Sequence, residues 1–260
     1  MIYSSMSRIG LPIVLSLVLS GCEAFNVPRE PSLAVSDADF SEALAKAPTS
    51  GPLGRTPTLS GHVARWSISS SRPVSLDWPQ KTVVGTIDGG GNYTVVLPAQ
   101  PPAPLPSSGL PATVPLRQLV RAFNIFGDAD CSVDTLVVSA PDAVAAQLTG
   151  FYVARNSADA AAPLQPQFSP LPPYTTFRPF TQYFNASEML LYSSVAATAK
   201  GELSCTSQYS AGSRYHLFVN IALAQGWNSA TLIYGEEFTV GDERLQRMLL
   251  KGGLGRSGLD

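Results

Sequence analysis

Four oxygen-bearing side chains alternate along "DADCSVD". Asp128, Asp130, Ser132 and Asp134 have the spacing at which an EF-hand-type loop begins to surround calcium. The rest of that pattern fails, because Val133 stands where the turn needs glycine and Ser139 where a bidentate glutamate would close the shell. A solvated loop entering a strand is the expectation, with calcium on Asp128, Asp130 and Asp134 as the lesser reading. "DGGGN" (88–92) also offers oxygens to a cation, but a hairpin turn accounts for it. The two histidines, His62 and His216, fall in strand-like runs with no His, Cys or Glu at ligand spacing, so both are expected to be structural or surface residues. G-x-S-x-G, H-E-x-x-H, P-loop and Rossmann patterns are all missing from the sequence. No catalytic residue, metal or cofactor is therefore assigned, and the chain is read as not an enzyme.

Two cysteines, Cys131 and Cys205, stand 74 positions apart. An even pair in an exported chain is expected to be joined, two buried free thiols being the other reading. By loop-closure entropy such a bridge contributes about 4 kcal/mol. Trp66, Trp78 and Trp227, with Tyr93, Tyr152, Tyr192 and Tyr215, would stack on sugars or apolar ligands if they stood outside the core; core packing is the default. "QGWN" (225–228) reads as a turn with Trp227 folded over a sheet edge.

These residues must be positioned by a β-rich scaffold. Hydrophobic residues make up 45% of the chain, enough for a packed core, while charged residues are 14% and the net charge is −2, which provides no basic field for nucleic acid. Beyond Thr58, short β-branched and aromatic runs alternate with Gly, Pro, Asn and Asp. "LSGHVARWSI" (59–68), "PVSLDW", "KTVVGTI" and "NYTVVLP" form a meander over 58–98. A proline-rich linker or surface crossing spans 99–115. A β-sandwich region over 116–241, either a domain of its own or one with 58–98, opens with a short helix at "LRQLVRAF". It continues through "DTLVVSA", "AAQLTGFYVARN", "EMLLYSSVAATA", "KGELSCTS", "RYHLFVNIAL" and "SATLIYGEEF", interrupted by a second proline-rich stretch at 162–180. In 242–260, "GDERLQRMLLKGG" has Leu245, Met248 and Leu249 at helical spacing, with acids first, Lys251 late and Gly252 as a stop, which predicts a C-terminal helix and tail. The fold class expected is all-β: an antiparallel β-sandwich, Ig-like or transthyretin-like, with a short C-terminal helix.

The first residues carry Arg8 and then an apolar stretch, Ile9 to Leu19, too short for a stop-transfer helix; 1–21 read as a signal peptide. Leu19-Ser20-Gly21-Cys22 resembles the lipobox of bacterial lipoproteins, an ordinary signal peptide cleaved nearby or an uncleaved anchor being the other readings. That resemblance implies lipidation of Cys22 and attachment to a membrane, each buried methylene contributing about 0.8 kcal/mol. Glu23, rather than aspartate, follows the cysteine, which favours an outer membrane in a cell that has two. Residues 22–57 then form a lipidated tether, either with a short helix at "DADFSEALAKA" or fully disordered.

The meander "SGHVARW…VSLDW…VVGTIDGGGNYTVVLP" resembles the carboxypeptidase-regulatory-like or transthyretin-like β-sandwich modules. The later portion, through "LLYSSVAATAKGELSCTS" and "YHLFVNIALAQGWNSATL", resembles a group of β-rich bacterial envelope lipoproteins. These resemblances imply location and fold and bring no activity with them. Two functions are consistent with the sequence: a non-catalytic structural or protein-interaction module of the cell envelope, with an envelope protein as partner, or a lipoprotein that binds a small glycan or apolar ligand.

Overall fold

The punctuated β-branched runs pair into two sheets. The structure, a computed structural model, describes residues 50–63, 66–76, 82–102, 113–124, 131–148, 150–154, 174–177, 182–183, 186–206 and 212–253. Its elements are β1 (Pro52–Gly54), β2 (Thr58–His62), β3 (Arg72–Leu76), β4 (Val83–Ile87), β5 (Asn92–Val96), β6 (Val114–Pro115), α1 (Leu116–Ala122), β7 (Cys131–Asp134), β8 (Val137–Val138), β9 (Val144–Leu148), β10 (Phe151–Ala154), β11 (Tyr174–Phe177), β12 (Gln182–Tyr183), β13 (Ala186–Ser193), β14 (Ala197–Thr206), β15 (Ser213–Leu223), β16 (Gly226–Val240) and β17 (Glu243–Gly252). The larger sheet runs β6-β9-β13-β16-β17-β15-β14-β7, with β1 beside β16, β12 beside β13 and β8 beside β14. The smaller runs β11-β10-β3-β4-β5-β2, so β2 lies beside β5 and not β3, and the meander expected over 58–98 holds only for β3 to β5.

Strand alternation assigns each side chain to one of two cores. On β13, Leu190 and Tyr192 face the smaller sheet and join Val74, Leu76, Ile87, Val95, Phe151 and Trp227. Met189 and Leu191 face the other way, into a cluster drawn from β9, β14, β15, β16, β17 and α1. Because strands from opposite ends of the larger sheet meet in that cluster, the sheet curls around it. Fully burying each Leu, Ile or Val contributes about 1.5–3 kcal/mol, so these two clusters dominate stability.

The expected helix at 116–123 forms. Leu116, Leu119, Val120 and Phe123 recur at i, i+3, i+4 and i+7 and are all buried. Pro115 precedes it, and its first free donors are met by loop carbonyls: Leu116 N–H donates to Ala143 O (2.8 Å) and Arg117 N–H to Pro141 O (3.1 Å).

Several expectations are corrected. The C-terminal segment is strand β17, not a helix: it lies between β15 and β16 and hydrogen-bonds both. Met248, Leu249 and Leu250 are buried on both faces of the sheet, and a strand buried on both faces loses the alternation that distinguishes it from a helix. The β15–β17 pair is parallel, so the larger sheet is mixed rather than purely antiparallel. The tether assigned to 22–57 ends inside the fold, because β1 pairs with Trp227 and Asn228 of β16. "AAQLTGFYVARN" is two strands in different sheets, β9 beside β13 and β10 beside β3. "EMLLYSSVAATA" turns at Ser194–Ala196 between β13 and β14, and β11 falls within the proline-rich stretch.

The turn at 88–92 forms as expected. Gly91 has φ 85°, and Asp88 accepts from Gly90 N–H (2.8 Å), Asn92 N–H (2.9 Å) and Asn92 Nδ2 (3.0 Å). The Asn92 side chain, then the Asn92 backbone, hold the Asp88 carboxyl below its ordinary value of 3.8. A carboxylate with a depressed folded pKa stabilises above its unfolded pKa and loses that contribution as pH falls through the folded one. Asp88→Ala therefore melts below wild type at pH 7. Melting curves taken down the pH scale should show that gap closing only below about pH 4; a gap independent of pH contradicts the carboxylate's role.

Candidate functional site

The chemistry-bearing residues gather where β7, α1, β14 and β15 meet. β7 lies antiparallel to β14 with Cys131 opposite Cys205, and their sulfurs are 2.03 Å apart. Cys205 is buried and Cys131 half-buried. The bridge thus fixes a four-residue edge strand to a ten-residue one.

Asp134, the last residue of β7, is surrounded by cationic and N–H donors. Arg117 lies 3.3 Å from its Oδ2, Arg121 pairs with the same oxygen, and Leu136 N–H donates to its Oδ1 (3.3 Å). Two arginines exposed on one face of α1 thereby occupy the carboxylate that the calcium reading needs. Asp128 and Asp130 lie outside the described residues, as do Cys22 and Trp78. Among the described residues, no group of three or more His, Cys, Asp or Glu is arranged to hold a metal ion. No described helix is long and apolar enough to cross a membrane.

The histidines sit in different sheets. His216 Nε2 lies 3.1 Å from Glu202 Oε2 across β14–β15, and its ring stacks on Phe218 at 4.2 Å. His62 Nδ1 lies 3.3 Å from Asn92 Oδ1 on the smaller sheet. Nearby, Arg214 donates to Ser132 Oγ (2.6 Å) and pairs with Glu243 (3.1 Å). Mutual pairing holds the Glu243 carboxyl below its usual range and raises the Arg214 guanidinium. These contacts tie β7, β15 and β17 together at one end of the larger sheet.

Of the aromatic residues considered as stacking platforms, Trp66, Tyr152 and Tyr215 are half-buried and three are internal. Trp227, Tyr192 and Tyr93 are buried between the sheets. Trp227 Nε1 donates to Pro98 O (2.8 Å), and its ring meets Tyr192 edge-on at 5.5 Å. Trp227 is therefore a core residue, not a cover on the sheet edge. Asn228 braces the preceding bend: its Nδ2 donates to Ala224 O (2.9 Å) and Gly226 O (3.0 Å), while its Oδ1 accepts from Ala224 N–H (2.9 Å). Sequence reading found neither this brace nor the arginines on Asp134; the one available signal was their position on the polar side of α1. No protein-family model, curated protein or solved structure matches the chain.

Proposed function

We propose that the protein is a lipid-anchored, non-catalytic interaction module of the cell envelope. The observation that carries the interaction part is how three acidic side chains of the larger sheet are engaged. Asp134 is taken by Arg117 and Arg121, Glu202 by His216, and Glu243 by Arg214. Carboxylates held by guanidinium groups, as Asp134 and Glu243 are, do not offer a free base, whereas strand edges offer backbone donors and acceptors to another chain. The anchor rests on Leu19-Ser20-Gly21-Cys22 after the apolar run.

Labelled palmitate is expected to enter the full chain and to be lost in Cys22→Ser, with the protein leaving the membrane fraction. Equal labelling of the variant contradicts the anchor. Turnover on a hydrolase panel that persists through further purification contradicts the non-catalytic reading.

A further inference from the structure

A sheet edge presents unpaired N–H and C=O groups, and proteins blunt such edges with proline, charge, bulges or very short strands. Most described edges here are blunted. β6 is two residues long and includes Pro115. β7 is short, breaks register against β14 and ends on the ion-paired Asp134. β11 is flanked in sequence by Pro173 and Pro179. Beyond Ile233, where β13 stops, β16 bulges near Gly235 and exposes Glu236 and Glu237.

Among the described residues, β2 carries none of these devices. It pairs with β5 from Thr58↔Val96 to His62↔Asn92 without a register break. It contains neither proline nor a charged residue, and Thr58, Ser60, Gly61 and His62 are exposed. Leu97 N–H donates to Pro57 O (3.0 Å) and Val63 N–H to Gly91 O (2.9 Å), so residues 57, 59, 61 and 63 direct their backbone groups to β5. By antiparallel parity, Thr58, Ser60 and His62 direct theirs away from the sheet.

We propose that β2 is a self-association edge: two copies of this chain pair β2 with β2 antiparallel about a two-fold axis at Ser60, joining two six-stranded sheets into one. In this register Thr58 lies opposite His62 of the second copy and Ser60 opposite Ser60, so each outward-facing residue exchanges both of its backbone bonds. The edge favours a second copy over a charged partner because it carries no charge of its own, and two-fold pairing sets no like charges opposite each other. Its side chains are also self-complementary. Hydroxyl meets hydroxyl at Ser60, and Thr58 meets an imidazole. On the core-facing side Leu59 lies opposite Gly61, where a Cβ would stand 2.6 Å from the Tyr93 hydroxyl, so that the Tyr93 ring fills the space below the glycine.

The proposal deepens the interaction-module reading by naming the partner. Sedimentation equilibrium of the full chain in density-matched detergent, from about 1 to 200 μM, should show monomer and dimer exchanging within that range. Ser60→Pro removes an outward N–H and no backbone bond to β5, losing there only the side-chain contact of Ser60 Oγ with Thr94 Oγ1 (3.2 Å), and should leave the chain monomeric with an unchanged circular dichroism spectrum. Ser60→Lys, which keeps the backbone donor but sets like charges opposite, should weaken the dimer at least about tenfold; it decides the matter if the proline variant fails to fold. On oxidation, Ser60→Cys should give a disulfide-linked dimer, while Val83→Cys, 59% exposed on β4, should not. A wild type monomeric throughout the range, or a dimer untouched by Ser60→Pro and Ser60→Lys, overturns the proposal. A monomer that still crosslinks stoichiometrically to another envelope protein overturns self-association alone and leaves the interaction reading standing.

Discussion

Replacing Trp227 with alanine should lower the unfolding free energy by about 3–5 kcal/mol, the cost of emptying a large aromatic site in a packed core. Trp227 is fully buried between the two sheets, and its indole N–H satisfies Pro98 O at the end of the smaller sheet's meander. The alanine variant therefore loses packing and also strands a carbonyl. Trp227→Phe keeps most of the ring and should cost less, with the lost hydrogen bond contributing about 0.5–1.5 kcal/mol. Urea unfolding at fixed pH measures both. A loss below about 1 kcal/mol for Trp227→Ala would place the residue outside the core and contradict the sandwich.

The double variant Cys131→Ala, Cys205→Ala should be destabilised by about 2–4 kcal/mol, because the bridge closes a 74-residue separation in the unfolded chain. Alanine is preferred to serine because Cys205 is buried and a hydroxyl there would add a desolvation cost. Hydrogen exchange should then quicken at β7 before β15 and β17, since β7 is an edge strand and the other two are central. Peptide mapping after denaturation in alkylating agent should find the two cysteines in one linked peptide. Alkylation of both in the unreduced protein contradicts the bridge.

What the sequence revealed follows from whether a signal was local. The 88–92 turn was legible because its positive-φ glycine and its Asp and Asn lie within five residues. Helix α1 was legible from its apolar spacing, and the cysteine pair from counting. β17 was misread because Met248-Leu249-Leu250 packs on both faces, so its period carries no strand signal. β1 was missed because three residues, Pro52 to Gly54, have no intrinsic strand pattern and are ordered by β16. Asp134 was singled out for its acidic neighbours, yet the side chains that neutralise it lie 13 and 17 positions away. Only the packing of α1 against the larger sheet brings them together.

The central claim, that this chain works by contact within the envelope, is tested most directly by crosslinking intact native envelopes and determining the mass and composition of what the full chain is joined to. The account predicts a membrane-fraction species of defined stoichiometry in which the chain is bonded to a protein partner, a second copy included. Recovery of the chain alone at every crosslinker concentration, with a small glycan or apolar molecule co-purifying in its place, would contradict it.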